Sequence, residues 1–324
     1  MAAIRILLVA LAGVVLGAAP LSAQSYPTKP IRIIVPTSPG GITDTLARAL
    51  AQRLTEALGQ QVIVENRPAG AGHLGMEFVA KAAPDGYTLV VAADASFVVN
   101  PHLYSKLSYD PINEFVPISG LGVSPQALVL HPSVPANTFG ELVALGKAKP
   151  GALNYGTFGI GTSGHLNILH IEGETGAKFT PIHYRGAAPA ITDLLGGHIQ
   201  MIIVAIGLLR QNIEAGKLKA LGIGSRQRLP QYPDLPTLHE SGLPNFEAGS
   251  WYGFAAPKGT PREIVDRLSA EAQKIFGDQA FRDKFLAPAV TFSIAGSPHE
   301  FGERIRTDLA KWGKVIKDAG IKVD

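Results

Sequence analysis

Residues 151–165, GALNYGTFGIGTSGH, constrain the fold most, because they combine a strand, a glycine turn and the start of a helix. The residues up to Thr157 are strand-like, residues 159–164 predict a tight turn, and the residues from Leu166 onward predict a helix. The first N–H groups of a helix have no partner inside it and lie at the positive end of its dipole. This order of elements therefore predicts a binding site for an anion.

An earlier stretch repeats this order: an apolar strand at Ile31–Val35, the turn PTSPGGITD at residues 36–44, and then a helix. Thr43 or Asp44 is expected to cap that helix. The turn lacks the lysine of a phosphate-binding loop, which argues against nucleoside triphosphates. Two such turns, far apart in sequence, predict two lobes that close on one acidic ligand. The alternative is a plain tight turn with Asp44 as a helix cap.

The composition is that of a globular protein large enough for two domains. The chain has 324 residues, of which 46% are hydrophobic and 17% charged, and this length exceeds what one small core needs. The formal net charge is +3, with no block of basic residues. The sequence therefore predicts no nucleic-acid partner.

Residues 1–23 are expected to form a signal peptide. Arg5 supplies a positive start, residues 6–19 are apolar, and small residues lead to Ala23 as the cleavage point. A membrane anchor is the alternative, but the apolar run is shorter than the roughly 20 residues that span a bilayer. The chain contains no cysteine, which excludes disulfides and a lipid-modified cysteine. We expect an exported, periplasmic protein.

Strands and helices alternate twice along the chain, which predicts an α/β fold with two doubly wound, mostly parallel sheets. We place the chain crossings near residues 122–125 and 248–251. The first lobe is then discontinuous, with residues 24–123 and 250–324, and residues 124–249 form the second lobe. Residues 94–117 are expected to be rich in loops, followed by a strand over residues 126–130.

Several segments occur in an order and spacing that resemble the Bug family, the periplasmic receptors of tripartite tricarboxylate transporters. They include YPTKPIRIIVPTSPGG, ENRPAGAGHLG, YDPINEFVPI, LNYGTFGIGTSGHL, YRGAAPAITDLLGGHIQ and LPTLHESGLPNFEAGSWYGFAAPKGTP. The resemblance runs from Tyr26 to the C-terminus. It implies a two-lobed periplasmic-binding-protein fold hinged on two crossover strands, with a small carboxylate between the lobes, no cofactor and no catalysis.

The resemblance also implies the residues of the ligand site, which in the family are mainly backbone amides and small hydroxyl groups of the two turns. The matching first-lobe positions are Thr37, Ser38, Gly40, Gly41, Asp44, Asp94, Ala95 and Ser96. The matching second-lobe positions are Phe158, Gly159, Gly161, Thr162, Ser163, His165, Tyr184, Arg185, Gly186 and Ala205.

One position departs from the family. Many members have a phenylalanine–aspartate–asparagine run where this chain has Ile203, Val204 and Ala205. In members that bind amino acids, that aspartate is a plausible partner for the ligand's ammonium group. Val204 has no such acceptor, so we expect a carboxylate without an amine.

Other interpretations of the same residues remain open. Residues 159–164 match the dinucleotide fingerprint G-x-G-x-x-G, but no acidic residue stands about 20 positions later, as that fingerprint requires. Ser38, Ser96 and Ser163 lack the G-x-S-x-G turn of a hydrolase. His165 and Tyr184 either contact the ligand or pack, and Arg185 either binds a carboxylate with two prongs or lies on the surface.

The predicted function is capture of a small carboxylate or dicarboxylate and its delivery to the membrane subunits of a transporter. The protein is expected to be a monomer that binds no metal. The alternatives are an exported hydrolase or dehydrogenase on the same scaffold, and a ligand sensor that docks on a signalling receptor.

Overall fold

The computed structural model describes residues 26–68, 72–184, 186–244, 246–318 and 320–322. The predicted signal peptide and Arg185 lie outside these residues. The strands are β1 (Ile31–Val35), β2 (Val62–Asn66), β3 (Thr88–Ala93), β4 (Phe115–Leu130), β5 (Asn154–Thr157), β6 (Thr180–His183), β7 (Met201–Ala205), β8 (Lys219–Ile223), β9 (Gly249–Pro257) and β10 (Phe292–Ser293). The α-helices are α1 (Ile42–Leu58), α2 (His73–Ala80), α3 (Asn100–Leu103), α4 (Phe139–Ala148), α5 (Ser163–Thr175), α6 (Ala187–Leu195), α7 (Arg210–Glu214), α8 (Arg262–Gly277), α9 (Gln279–Phe281) and α10 (Pro298–Asp318).

The first sheet has the strand order β2-β1-β3-β9-β4. β1 pairs in parallel with both β2 and β3, because α1 and α2 return the chain to the same end of the sheet. β9 then pairs antiparallel with β3 and with β4. The carboxyl ends of β1 and β3 are therefore neighbours at one edge of this sheet.

The second sheet has the order β4-β7-β5-β6, with β8 also paired to β4. β5 lies between β6 and β7 and is parallel to both. The helices α5 and α6 connect these three strands, as the alternating sequence pattern predicts.

β4 belongs to both sheets. Its residues from Phe115 to Pro125 pair with β9, and its residues from Gln126 to Leu130 pair with β7. At the change of sheet, the N–H of Gln126 bonds to the carbonyl of Ala248, at 3.0 Å. The expected fold, with two sheets joined by two crossover strands, is confirmed.

The first half of β4 and two further elements differ from the sequence-based expectation. The sequence predicts that residues 94–117 are rich in loops, yet they contain a π-helical turn at Ala95–Val99, helix α3 and the start of β4. Proline and glycine interrupt the apolar pattern of β4, and its pairing with β9 shifts register between Pro117 and Ser119 and between Gly120 and Gly122. Such residues are typical of bulges and conceal a strand in the sequence.

The cap of α1 also differs from expectation. The N-cap is Gly41, with no side-chain hydrogen bond, and the helix begins at Ile42. The carboxylate of Asp44 accepts a hydrogen bond from the N–H of Gly40 instead. At the other end, Gly59 closes the helix with a φ of 66°.

Apolar residues cover both faces of the first sheet. Ile31, Ile33 and Val35 of β1 face a core shared with α1 and α8, whereas Ile34 faces a core shared with α2 and α10. This alternation follows from the two-residue period of a strand. Among the described helices, none combines the length and apolar character required to cross a membrane.

Gly253 of β9 provides a test of the packing of α10 on the first sheet. A Cβ atom at this position would lie 2.0 Å from Cζ of the buried Phe301. Gly253→Ala is therefore expected to lower the free energy of unfolding by about 1–3 kcal/mol, the usual cost of overpacking. Gly277→Ala is the control, because nothing lies within 4 Å of a Cβ there. Equal urea midpoints for the two variants would contradict this packing.

Candidate ligand-binding site

Asp44 holds the first turn together from inside. Its carboxylate accepts hydrogen bonds from Gly40 N at 3.0 Å, Arg48 Nε at 3.0 Å and Asn66 Nδ2 at 2.9 Å. Burial raises the pKa of this carboxyl, but the hydrogen bonds from Arg48, Gly40 and Asn66 outweigh burial and hold the pKa below its usual value. Asp44 is therefore an ionised brace whose oxygens already have protein partners. Arg48 and Asn66 were not among the predicted site residues.

The first turn leaves other polar groups available. The N–H groups of Ile42, Thr43 and Asp44 are the first of α1 and have no carbonyl partner inside the helix. The hydroxyl oxygen of Thr37 is buried and has no hydrogen-bond partner within the described residues. Ser38 and Gly40 are exposed. These groups suit an anion that approaches from the carboxyl end of β1.

Asp94, Ala95 and Ser96 follow β3 at the same edge of the sheet. Asp94 is 3% exposed, and it accepts hydrogen bonds from Ala95 N at 2.8 Å and Ser250 Oγ at 3.3 Å. Burial, assisted by the charge of Asp308, raises the pKa of Asp94 to about 7. The carbonyl of Ser96 accepts a hydrogen bond from the Tyr109 hydroxyl at 2.7 Å.

His165 organises the second turn. Its Nδ1 accepts the N–H of Gly161 at 3.0 Å, so a neutral ring carries its proton on Nε2. Burial, with a smaller effect of nearby His183, lowers the pKa of His165 to about 4. The side chain is thus a neutral donor near neutral pH. Because it uses the Gly161 amide, that N–H is not free for a ligand.

Thr157 and His183, which the sequence did not single out as site residues, support the same turn. The hydroxyl of Thr157 donates to the carbonyl of Gly159 at 3.2 Å and lies 2.8 Å from Nδ1 of His183. The hydroxyl of Thr162 also donates to Gly159 O, at 2.9 Å. The signal that could have identified Thr157 was its place at the end of a buried strand.

The start of α5 offers backbone donors rather than side-chain hydroxyls. Ser163 Oγ accepts from Gln126 Nε2 at 2.6 Å and lies 3.1 Å from Ser250 Oγ. Its hydroxyl is thus occupied inside the protein. The N–H groups of Ser163, Gly164 and His165 are the first of the helix and have no partner within it.

The second turn lies against the first sheet. The Ser163 hydroxyl contacts Ser250, which in turn bonds to Asp94 at the end of β3. The approach at Gly161 is close, because a Cβ there would lie 1.7 Å from Leu103 Cδ1 of α3, and its φ of +76° also favours glycine. The second turn thus meets the edge at which β1 and the first turn also end.

The remaining predicted residues line the second sheet. The Tyr184 hydroxyl donates to Asp193 Oδ2 at 2.6 Å, and burial raises the pKa of Tyr184 to about 12. Phe158 and Gly186 are half-buried. Ala205 is buried against the core of the first sheet rather than that of the second. The prediction for Arg185 lies outside the described residues.

A separate surface groove of about 920 Å³ lies beside the starts of β1 and β3. Four of its charged residues form pairs, Lys29 with Asp85 and Lys81 with Glu77. Helix N-termini of the two turns do not line it. In the described part of the chain, no three His, Cys, Asp or Glu residues are placed to hold a metal ion.

The comparisons with known proteins agree on one family. The model of the tripartite tricarboxylate transporter family receptor matches residues 46–321. The protein BugT of Bordetella pertussis is 36% identical over 307 residues, which cover 94% of this chain and 94% of BugT.

Solved structures match over nearly the whole chain. A protein of R. palustris, solved with adipate, has a TM-score of 0.87 and 32% identity, with 92% of this chain and 99% of that one covered. MatC from Rhodopseudomonas palustris, with bound malate, has a TM-score of 0.83 and 28% identity, with 90% and 100% covered.

The raised pKa of Asp94 makes a prediction for stability against pH. The unfolded carboxyl ionises near pH 4 but the folded one only near pH 7. The folded state therefore binds more protons in this window, and stability falls as pH rises through it. Asp94→Asn cannot titrate. Between pH 5 and pH 8, the free energy of unfolding of the wild type is expected to fall by roughly 2–3 kcal/mol more than that of this variant. Urea unfolding curves measure this, and parallel losses would contradict it.

Proposed function

This chain belongs to the tripartite tricarboxylate transporter receptor family, and from that premise we propose that it captures a small carboxylate or dicarboxylate between two lobes. It is a solute-binding receptor and not an enzyme, because its family and its structural neighbours are solute-binding receptors. The observation that carries the proposal is the contact of the second turn with the edge at which the first turn lies. We infer that a ligand at this edge reaches the unpaired N–H groups at the starts of both α1 and α5.

Backbone amides and a few neutral donors supply the binding energy. Each hydrogen bond from an amide to a carboxylate contributes about 1.5–3 kcal/mol. A few such bonds, with some apolar burial, reach the roughly 8 kcal/mol of micromolar binding. The neutral His165, and the Thr37 hydroxyl, which has no partner within the described residues, add donors without a full positive charge.

The ligand lacks an amine. Val204, which stands where many members have aspartate, is 1% exposed and packs in the core of the second sheet. It offers no acceptor to an ammonium group. Adipate and malate, which occur with the two solved neighbours, are dicarboxylates without an amine. We therefore place this chain's ligand in that chemical class.

The two lobes are residues 24–123 with 250–324, and residues 124–249. The hinge lies at the change of sheet, where β4 passes Gln126 and the chain passes Ala248 before β9. A ligand that bonds to amides of both lobes favours the closed state, because only that state offers both sets. Closed protein then docks on the membrane subunits of a transporter.

The proposed cellular location rests on the family and on the signal-peptide pattern of residues 1–23. Residues 1–23 direct export and are cleaved near Ala23, so the mature monomer works in the periplasm without a nucleic-acid partner. A sensor that docks on a signalling receptor is the second candidate. A pull-down of membrane proteins with ligand-saturated protein separates the two.

Calorimetric titration with a panel of organic acids tests the ligand class. Malate, succinate and adipate are compared with aspartate and glutamate, and at least one amine-free acid is expected to bind with micromolar or lower Kd. At about 100 times Kd, such an acid raises the free energy of unfolding by about 2.7 kcal/mol. Tight binding of aspartate or glutamate alone would refute the amine-free class.

A matched pair of variants at Ser163 tests the role of the amide. Thr162, the N-cap of α5, has φ −66° and ψ 158°, which suits the residue before a proline. Ser163→Pro removes both the hydroxyl and the N–H, whereas Ser163→Ala removes only the hydroxyl. The proline variant is expected to bind the best acid of the panel at least about tenfold more weakly than the alanine variant. Equal affinities would show that this amide does not hold the ligand.

A further inference from the structure

Five buried polar side chains form a continuous chain of hydrogen bonds where the two sheets meet. They are Asn167, Gln126, Ser163, Ser250 and Asp94, and none is more than 9% exposed. Burying a polar group costs free energy unless the group has a hydrogen-bond partner. A connected set of this length therefore favours one relative placement of the strands and the helix on which its members lie.

The hydrogen bonds run in a single direction. Asn167 Nδ2 donates to Gln126 Oε1 at 2.8 Å, and Gln126 Nε2 donates to Ser163 Oγ at 2.6 Å. At the other end, Ser250 Oγ donates to Asp94 Oδ1 at 3.3 Å. The Ser163 hydroxyl therefore donates to Ser250, across 3.1 Å. The chain ends on the carboxyl group of Asp94, and at its other end Asn167 Oδ1 has no hydrogen-bond partner within the described residues.

The members lie on both sides of the hinge. Gln126 is the first residue of β4 that pairs with the second sheet, opposite Ala205. Ser250 pairs with Ser124 inside the first sheet. Ser163 and Asn167 are four residues apart on α5, so they share the helix face that meets Gln126. The Gln126–Ser163 bond thus stays within one lobe, and the Ser163–Ser250 bond joins the two.

We propose that the Ser163–Ser250 hydrogen bond is a latch that favours lobe closure, and that Gln126 is the positioning residue that keeps Ser163 in reach of it. The proposal rests on the proposed function, because it assumes that the lobes rotate about the two crossover strands. Rotation separates Ser163 from Ser250, and water then takes the place of each partner. The latch therefore shifts the open–closed equilibrium by about five- to tenfold, as one net hydrogen bond does.

Distances between the lobes test the latch without any ligand. The chain contains no cysteine, so spin labels can be placed at Gln52→Cys and Lys217→Cys, two exposed positions in the first and second lobes. Pulsed electron paramagnetic resonance then gives the distance distribution for the parent, Ser250→Ala, Ser163→Ala and the double variant. Ser119→Ala is the control, because within the described residues its buried hydroxyl bonds only to Gly120 O, Gly296 O and Gly296 N, all in the first lobe.

Each single latch variant is expected to lower the ratio of closed to open protein by about five- to tenfold. The double variant is expected to lower this ratio no further. Such non-additivity identifies a direct interaction between two residues. Gln126→Met is expected to produce the same shift, and Ser119→Ala none. If an acid of the panel binds, its Kd is expected to be higher for the latch variants, because less of the protein is in the closed state.

The outcomes separate the two proposals. If Ser250→Ala leaves the distance distribution unchanged, or if the two serine variants add independently, the latch is wrong even when an acid binds. If the distributions shift as expected but no acid binds, the latch stands and the proposed function fails. If Ser250→Ala does not fold, Ser163→Ala and Gln126→Met decide in the same way.

Discussion

The structure depends on two crossings of the chain between the sheets, one within β4 and one at Ala248, just before β9. β4 forms backbone hydrogen bonds with β9 in its first part and with β7 and β8 in its last part. A strand can pair with only two neighbours at each point, so a single extended chain ties the two sheets together at a defined residue. The register shifts in β4 give it the bend that such a passage needs.

The proposed ligand site consists mainly of backbone groups, with side chains that hold the backbone in place. Asp44 braces the first turn, and its charge is met by Arg48. His165 and Ser163 brace the second turn through Gly161 and Gln126. Because these side chains have partners inside the protein, the groups that the proposed site offers to a ligand are mainly the first amides of α1 and α5. Amides at helix starts favour anions without a full cation in the site.

Much of the fold was accessible from the sequence wherever a segment had a strong local pattern. The strand Ile31–Val35 has the predicted bounds, and each of the two predicted turns leads into a helix, α1 and α5. Continuous apolar residues or helical periodicity, with glycine or proline at the ends, were sufficient there. The first half of β4 was not accessible, because proline and glycine residues that signal a loop are tolerated in it by bulges.

The sequence by itself determined the local features: two turns followed by helices, the resulting preference for an anion, and the apolar Val204 where an acidic residue is common. These features depend on residues that are close together along the chain. Only the tertiary structure decided which side chains brace the site. Ser163 and Gln126 are 37 residues apart, and Ser250 and Asp94 are 156 apart. Such pairs meet only when the strands have taken their places in the sheets. The chain has other serine, glutamine and aspartate residues, and no sequence pattern distinguishes these pairs from them.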